Sequence, residues 1–125
     1  MKIDAKTWHT VQIKFVTLPN KVKTQKSKFM FSERIKELRI QNQMPQRQLA
    51  AALDIDTATY CKIEKGERRA KREQVEIIVQ MLNTDKKELI TLWLADKVYA
   101  VVSDEANAHD ILNVVNANIV RYGKY

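Results

Sequence analysis

Thr57, Ala58, Cys61, Lys62 and Lys65 recur at helical spacing, and Arg68, Arg69 and Arg72 follow them. These residue types make and break no bonds, but they hydrogen-bond and neutralise charge. Two short side chains at the start of such a helix permit close approach to a groove. The lysines further along meet a guanine edge or a phosphate. The arginines after the helix reach a nucleic-acid backbone, or enter a minor groove where the negative potential is enhanced. Chemistry of other kinds finds little support. No Ser/His/Asp or Cys/His constellation and no phosphate-cradling glycine loop is visible, and no paired carboxylates mark a pocket. Asp54 and Asp56 are explained by a turn and a cap. His9 and His109 stand apart from any ligand cluster, so no metal and no cofactor is expected. The single Cys61 reads as a small helical residue in a reducing compartment.

The elements that would hold these side chains lie in PQRQLAAALDIDTATYCKIEKG, residues 45–66. Leu49, Ala50 and Leu53 fall on one face of a first short helix, with Gln46, Arg47 and Gln48 turned elsewhere. Asp54 tolerates the left-handed conformation that ends a helix, and Asp56 caps the next by accepting backbone N–H bonds. Ile55 before the cap and Tyr60 at the fourth helical position are the two partners of a hydrophobic staple. Ile55, Tyr60 and Ile63 then point inward, and Gly66 supplies a left-handed C-terminal cap. Two helices joined by so short a turn read as a helix-turn-helix.

Charge supports the same face. The net charge is +7. Residues 1–29 hold +6 of it, so the remainder is nearly neutral. Within that remainder residues 62–72 carry +4 and residues 73–110 carry −5. A pole of positive charge directly after the second motif helix is the footprint of contact with a polyanion.

From Phe31 to about Leu94 the chain resembles the Cro- and phage-repressor-like, or XRE-type, family of helix-turn-helix regulators. The resemblance rests on SERIKELR (32–39), on Gln46 followed by QLAAAL (48–53), on TYCKIEKGER (59–68) and on LNTDKKELI (82–90). It implies that Gln46 holds a phosphate and that Thr57, Ala58 and Lys62 face base edges. It further implies an ion pair between Arg39 and Glu64 that ties the first helix to the recognition helix. Two positions depart from the family pattern: Pro45, where Ser or Thr is common, and Asp54, where Gly is common.

The rest of the chain is placed around this motif. Residues 1–29 form a basic N-terminal extension, with a short strand expected at 10–18 before Pro19-Asn20 breaks it. Three readings stand open for it: an arm that tracks phosphate or the minor groove, a strand that pairs with another chain, or a stretch upstream of a start at Met30. Ser32 is expected to cap the first helix, with Ile35, Leu38 and Ile40 facing the core up to about Asn42. Further helices are expected at 73–82, at 85–102 opened by Thr84, and at about 104–120 opened by Ser103. Trp93, Val98 and Val101, with Ile111, Val115 and Ile119, offer a surface broad enough to need a second partner.

Together these readings give an all-α protein. Residues 30–94 form a five-helix repressor-like helix-turn-helix domain, and residues 95–125 form a C-terminal helical extension for dimerisation. The expected function is a cytoplasmic, dimeric, sequence-specific transcriptional regulator that binds double-stranded DNA at a palindromic operator. DNA contacts are expected from Gln46, Thr57, Ala58, Cys61, Lys62, Lys65, Arg68, Arg69 and Arg72. No apolar run is long enough for a membrane span. The alternatives are a controller of a restriction-modification system, and an antitoxin or adaptor whose main partner is another protein.

Overall fold

The computed structural model describes residues 29–123, and the N-terminal extension with its expected strand lies outside the described residues. The described chain is all helical. Its elements are α1 (Met30–Gln41), α2 (Gln46–Ala52), α3 (Thr57–Glu64), α4 (Arg72–Leu82), α5 (Lys86–Val102) and α6 (Ala108–Tyr122). One core binds the first five. Ile35 from α1, Leu49 from α2, Tyr60 and Ile63 from α3, Val75 and Ile78 from α4 and Leu89 from α5 are each at most 2% exposed. Each comes from the apolar stripe of its helix, so a single set of stripes closes on itself.

The chain has two glycines, yet the first four helices end in the same compact way. Gln43, Asp54, Gly66 and Asn83 all take positive φ, at 53°, 58°, 80° and 51°. Around each, one amide bonds three residues back and the next bonds five back, the paired bonds of a Schellman ending. After α2, Asp54 donates to Ala51 O at 3.1 Å and Ile55 to Ala50 O at 3.0 Å. Asp54 therefore does take the left-handed position between the motif helices.

Four local expectations need correction. Ser32 does not cap α1: the helix begins two residues earlier at Met30, and the Ser32 hydroxyl donates to Phe29 O at 3.1 Å from inside the first turn. The cap comes from α5 instead. Asp96 accepts Met30 N–H on Oδ1 and Phe31 N–H on Oδ2, both at 2.9 Å, and so satisfies two donors that a helix start leaves open. Ile40 is not a core residue; it is 56% exposed, because α1 turns that side away from the bundle. At the other end, Ser103 closes α5 rather than opening α6. Its amide bonds Tyr99 O at 2.8 Å, and α6 starts only at Ala108. The α5 cap is Asp85, whose carboxylate accepts Lys87 N–H at 3.2 Å, and not Thr84.

α5 runs unbroken through residue 95. Its first half lies in the core, whereas Val98, Tyr99 and Val101 near its end are exposed. None of the residues of α6 is buried.

Candidate nucleic-acid interface

The underside of α3 is fixed before its outer face can be used. Tyr60 and Ile63 sit in the core, and Glu64 is 4% exposed although it is charged. Four hydrogen bonds converge on the Glu64 carboxylate. Arg39 donates through Nε at 2.5 Å and Nη2 at 3.1 Å, Gln46 through Nε2 at 3.1 Å, and Tyr60 through its hydroxyl at 2.7 Å. Arg39 also donates to Met44 O at 2.9 Å. The forked Arg–carboxylate geometry makes a strong, directional pair, and it links α1, α2 and α3 at one point. Hydrogen bonding to Glu64, with the charge of that carboxylate, raises the Arg39 pKa despite partial burial. Burial, then the bond to Glu64, pushes the Tyr60 phenol up, so it remains a donor.

At the N-terminus of α3, Asp56 has extended backbone angles and accepts Thr59 N–H on Oδ1 at 2.7 Å. Hydrogen bonds from Thr59 hold the Asp56 carboxyl below its usual range. Ile55 packs against the core that contains Tyr60. Pro45 sits at the N-cap position of α2 with φ −73° and offers that helix no side-chain acceptor. Its ring pre-sets the angle with which the helix begins.

With the underside locked, Thr57, Ala58, Lys62 and Lys65 are exposed on the outer face of α3. Cys61 lies among them, half-buried and free of any disulfide. Gln46 stands beside the C-terminal end of the same helix, but its amide is committed to Glu64. Beyond Gly66, Arg68 and Arg72 are exposed. Arg69 is also exposed, yet its guanidinium lies over the Trp93 ring at 4.3 Å from the centroid and donates to Trp93 O at 3.0 Å. Trp93 in turn donates through Nε1 to Ala70 O at 2.8 Å. The sequence expectation places Trp93 with Val98 and Val101 in a surface for pairing with a second chain. The structure turns it into its own fold, against the loop after α3, a pairing that no local spacing signals.

The remaining surface residues divide cleanly. Val98, Val101, Val115 and Ile119 are 46%, 73%, 46% and 48% exposed, and Ile111 is half-buried. They lie on the end of α5 and on α6, outside the core that carries α3. Asp96, which sequence reasoning missed, is 5% exposed and caps α1. Burial pushes its carboxyl up, offset in part by the N–H donors of Phe31 and Met30.

No curated protein and no solved structure matches the chain. A model of the helix-turn-helix family matches residues 35–89, from the buried Ile35 of α1 to the buried Leu89 of α5, with both motif helices between. A fixed underside, a short joint with a left-handed residue and an outward polar face are what that motif requires. Residues 35–89 therefore form a DNA-binding domain of the Cro- and repressor-like, XRE-type helix-turn-helix family.

Proposed function

We propose that the chain is a sequence-specific transcriptional regulator, working in the cytoplasm, that binds a palindromic operator as a homodimer and acts by blocking or recruiting polymerase. The observation that carries this reading is the outer face of α3: Thr57, Ala58 and Lys62 stand free while Tyr60, Ile63 and Glu64 hold the helix from beneath. Small residues near the N-terminus of α3 let it approach the floor of the major groove, and Lys62 meets a base edge. Lys65, Arg68 and Arg72 fix register on phosphates, which positions the helix without reading sequence. Gln46 reaches a phosphate by releasing one of its two amide hydrogens from Glu64 or by using the other.

Dimerisation follows from the division of surface. One module of this size reads few base pairs, and a two-fold pair doubles its contacts on two half-sites. Val98, Val101, Ile111, Val115 and Ile119 supply an apolar face for that pairing. The domain division accordingly falls within α5, with reading in its first half and pairing in its second.

Selection of duplexes from a randomised library at moderate salt tests this. Enrichment of a palindrome with half-sites about one helical turn apart is expected; enrichment without a motif would overturn sequence-specific reading. Lys62→Ala should relax preference at one position per half-site, weakening the chosen site by about 1–3 kcal/mol. An unchanged preferred site would remove Lys62 from the base contacts. The exposed α5–α6 face also favours a second reading, an antitoxin or adaptor that binds an unrelated protein there. A stable heteromeric complex with a monomeric chain would favour that reading over the homodimer.

A further inference from the structure

Residues 67–71 connect the reading helix to α4, and Ala70 is the only buried residue among them. Ala70 anchors the loop in the core, and the residues on either side of it are exposed. A cleft of about 300 Å³ lies beside it, lined by Phe31, Ile63, Arg68, Ala70, Trp93 and Lys97 among others. A few directed bonds add to that anchor. At its start, the amides of Glu67 and Arg68 both donate to Lys62 O, at 2.9 and 3.2 Å, so the loop hangs from the end of α3. Near its other end, Trp93 Nε1 donates to Ala70 O, and Arg69 closes over the same ring while donating to Trp93 O. Arg72 approaches that ring more loosely, at 5.9 Å.

We propose that Trp93 and Arg69 form a latch that presets this loop for DNA, so that Trp93 is a positioning residue for binding and Arg69 is not a phosphate ligand. A guanidinium over an indole face is an attractive pair, and the two flanking hydrogen bonds fix its orientation. The latch holds the intervening backbone so that Arg68 points outward beside α3, and ordering a loop before binding removes that cost from binding itself. Arg69 contributes through its planar shape more than through its charge. This inference rests on the DNA-binding reading above.

The test uses the full chain as wild type, Trp93→Phe, Arg69→Lys and Arg69→Gln. Two readouts are taken: affinity for a random-sequence duplex pool over a range of salt, and hydrogen exchange of the Glu67 and Arg68 amides without DNA. Trp93→Phe keeps an apolar ring but loses the donor, and Arg69→Lys keeps the charge but loses the planar fork. Both should weaken binding about three- to tenfold, the range of one hydrogen bond or one cation–π contact, and speed exchange while leaving the salt slope unchanged. Arg69→Gln should match Arg69→Lys in both readouts.

If Arg69→Lys binds as wild type while Arg69→Gln lowers the salt slope by about 0.9, Arg69 grips phosphate and the proposal is overturned. A Trp93→Phe chain that exchanges faster yet binds as wild type removes the positioning role. Should wild type bind no duplex, the DNA-binding reading fails and the positioning role with it. Exchange of the free protein then decides whether the latch exists at all.

Discussion

Tyr60 in α3 and Tyr122 in α6 mark two kinds of region. The first is fully buried with its hydroxyl bonded to Glu64; the second is 73% exposed. Around Tyr60 each helix covers its neighbours, and no buried side-chain N or O among the described residues lacks a hydrogen-bond partner. In α6 an apolar stripe of the same period has no fully buried residue. The two regions have similar local signals and opposite fates. An apolar stripe is a demand for a partner, and it does not say where the partner is.

The largest effect that would sharpen this contrast is expected at Glu64. Glu64→Ala leaves Arg39, Gln46 and Tyr60 without a shared acceptor, and breaking a buried pair by removing one member costs about 3–5 kcal/mol. Urea unfolding should show that loss; a change below about 1 kcal/mol would mean the network only decorates the core. Next comes Asp96→Ala, which strips the N-terminus of α1 of two acceptors. Two lost bonds at a partly buried helix start predict a loss of about 1–3 kcal/mol in the same measurement. Capping by a residue of another helix would be refuted by an Asp96→Ala chain as stable as wild type.

The α6 region should behave otherwise. Val115→Asp with Ile119→Asp is expected to leave unfolding of dilute protein within about 0.5 kcal/mol of wild type, because neither side chain belongs to the core. Sedimentation should shift the species from dimer to monomer. A large loss of stability in the monomer would erase the distinction between the two regions.

The smallest effect lies in acid. Asp56 has its pKa lowered in the folded chain, so its contribution is present above the ordinary carboxylate value and is lost as pH falls through the folded one. Asp56→Asn keeps a capping oxygen but does not titrate, and the decline of its melting temperature below about pH 4 should be shallower. Asp96 carries the opposite sign. Its folded pKa is raised, so its titration favours the fold below the ordinary carboxylate value, and that advantage fades as pH rises through the folded one. An Asp56→Asn chain with the wild-type acid limb would take the cap out of the account.

Much of α3 was legible in the sequence because its determinants are close along the chain. Asp54 and Gly66 at the helix ends, Asp56 three residues before the amide it accepts, and Leu49, Tyr60 and Ile63 facing inward are all set within one or two turns. The family resemblance named Arg39 and Glu64, and they meet at 2.5 Å across 25 residues. Local spacing alone would have left Arg39 as one more surface charge.

Local sequence fixed which faces are apolar and where the motif helices stop, since helix periodicity and caps act over a few residues. Only the tertiary structure decided where α1 begins, because its cap, Asp96, lies 65 residues beyond Phe31 and meets it only when α5 folds across. It likewise turned Trp93 inward to Ala70, 23 residues away, and left no residue of α6 fully buried. Partners so far apart in sequence are selected by how helices pack, and a pattern with a period of a few residues carries no record of that.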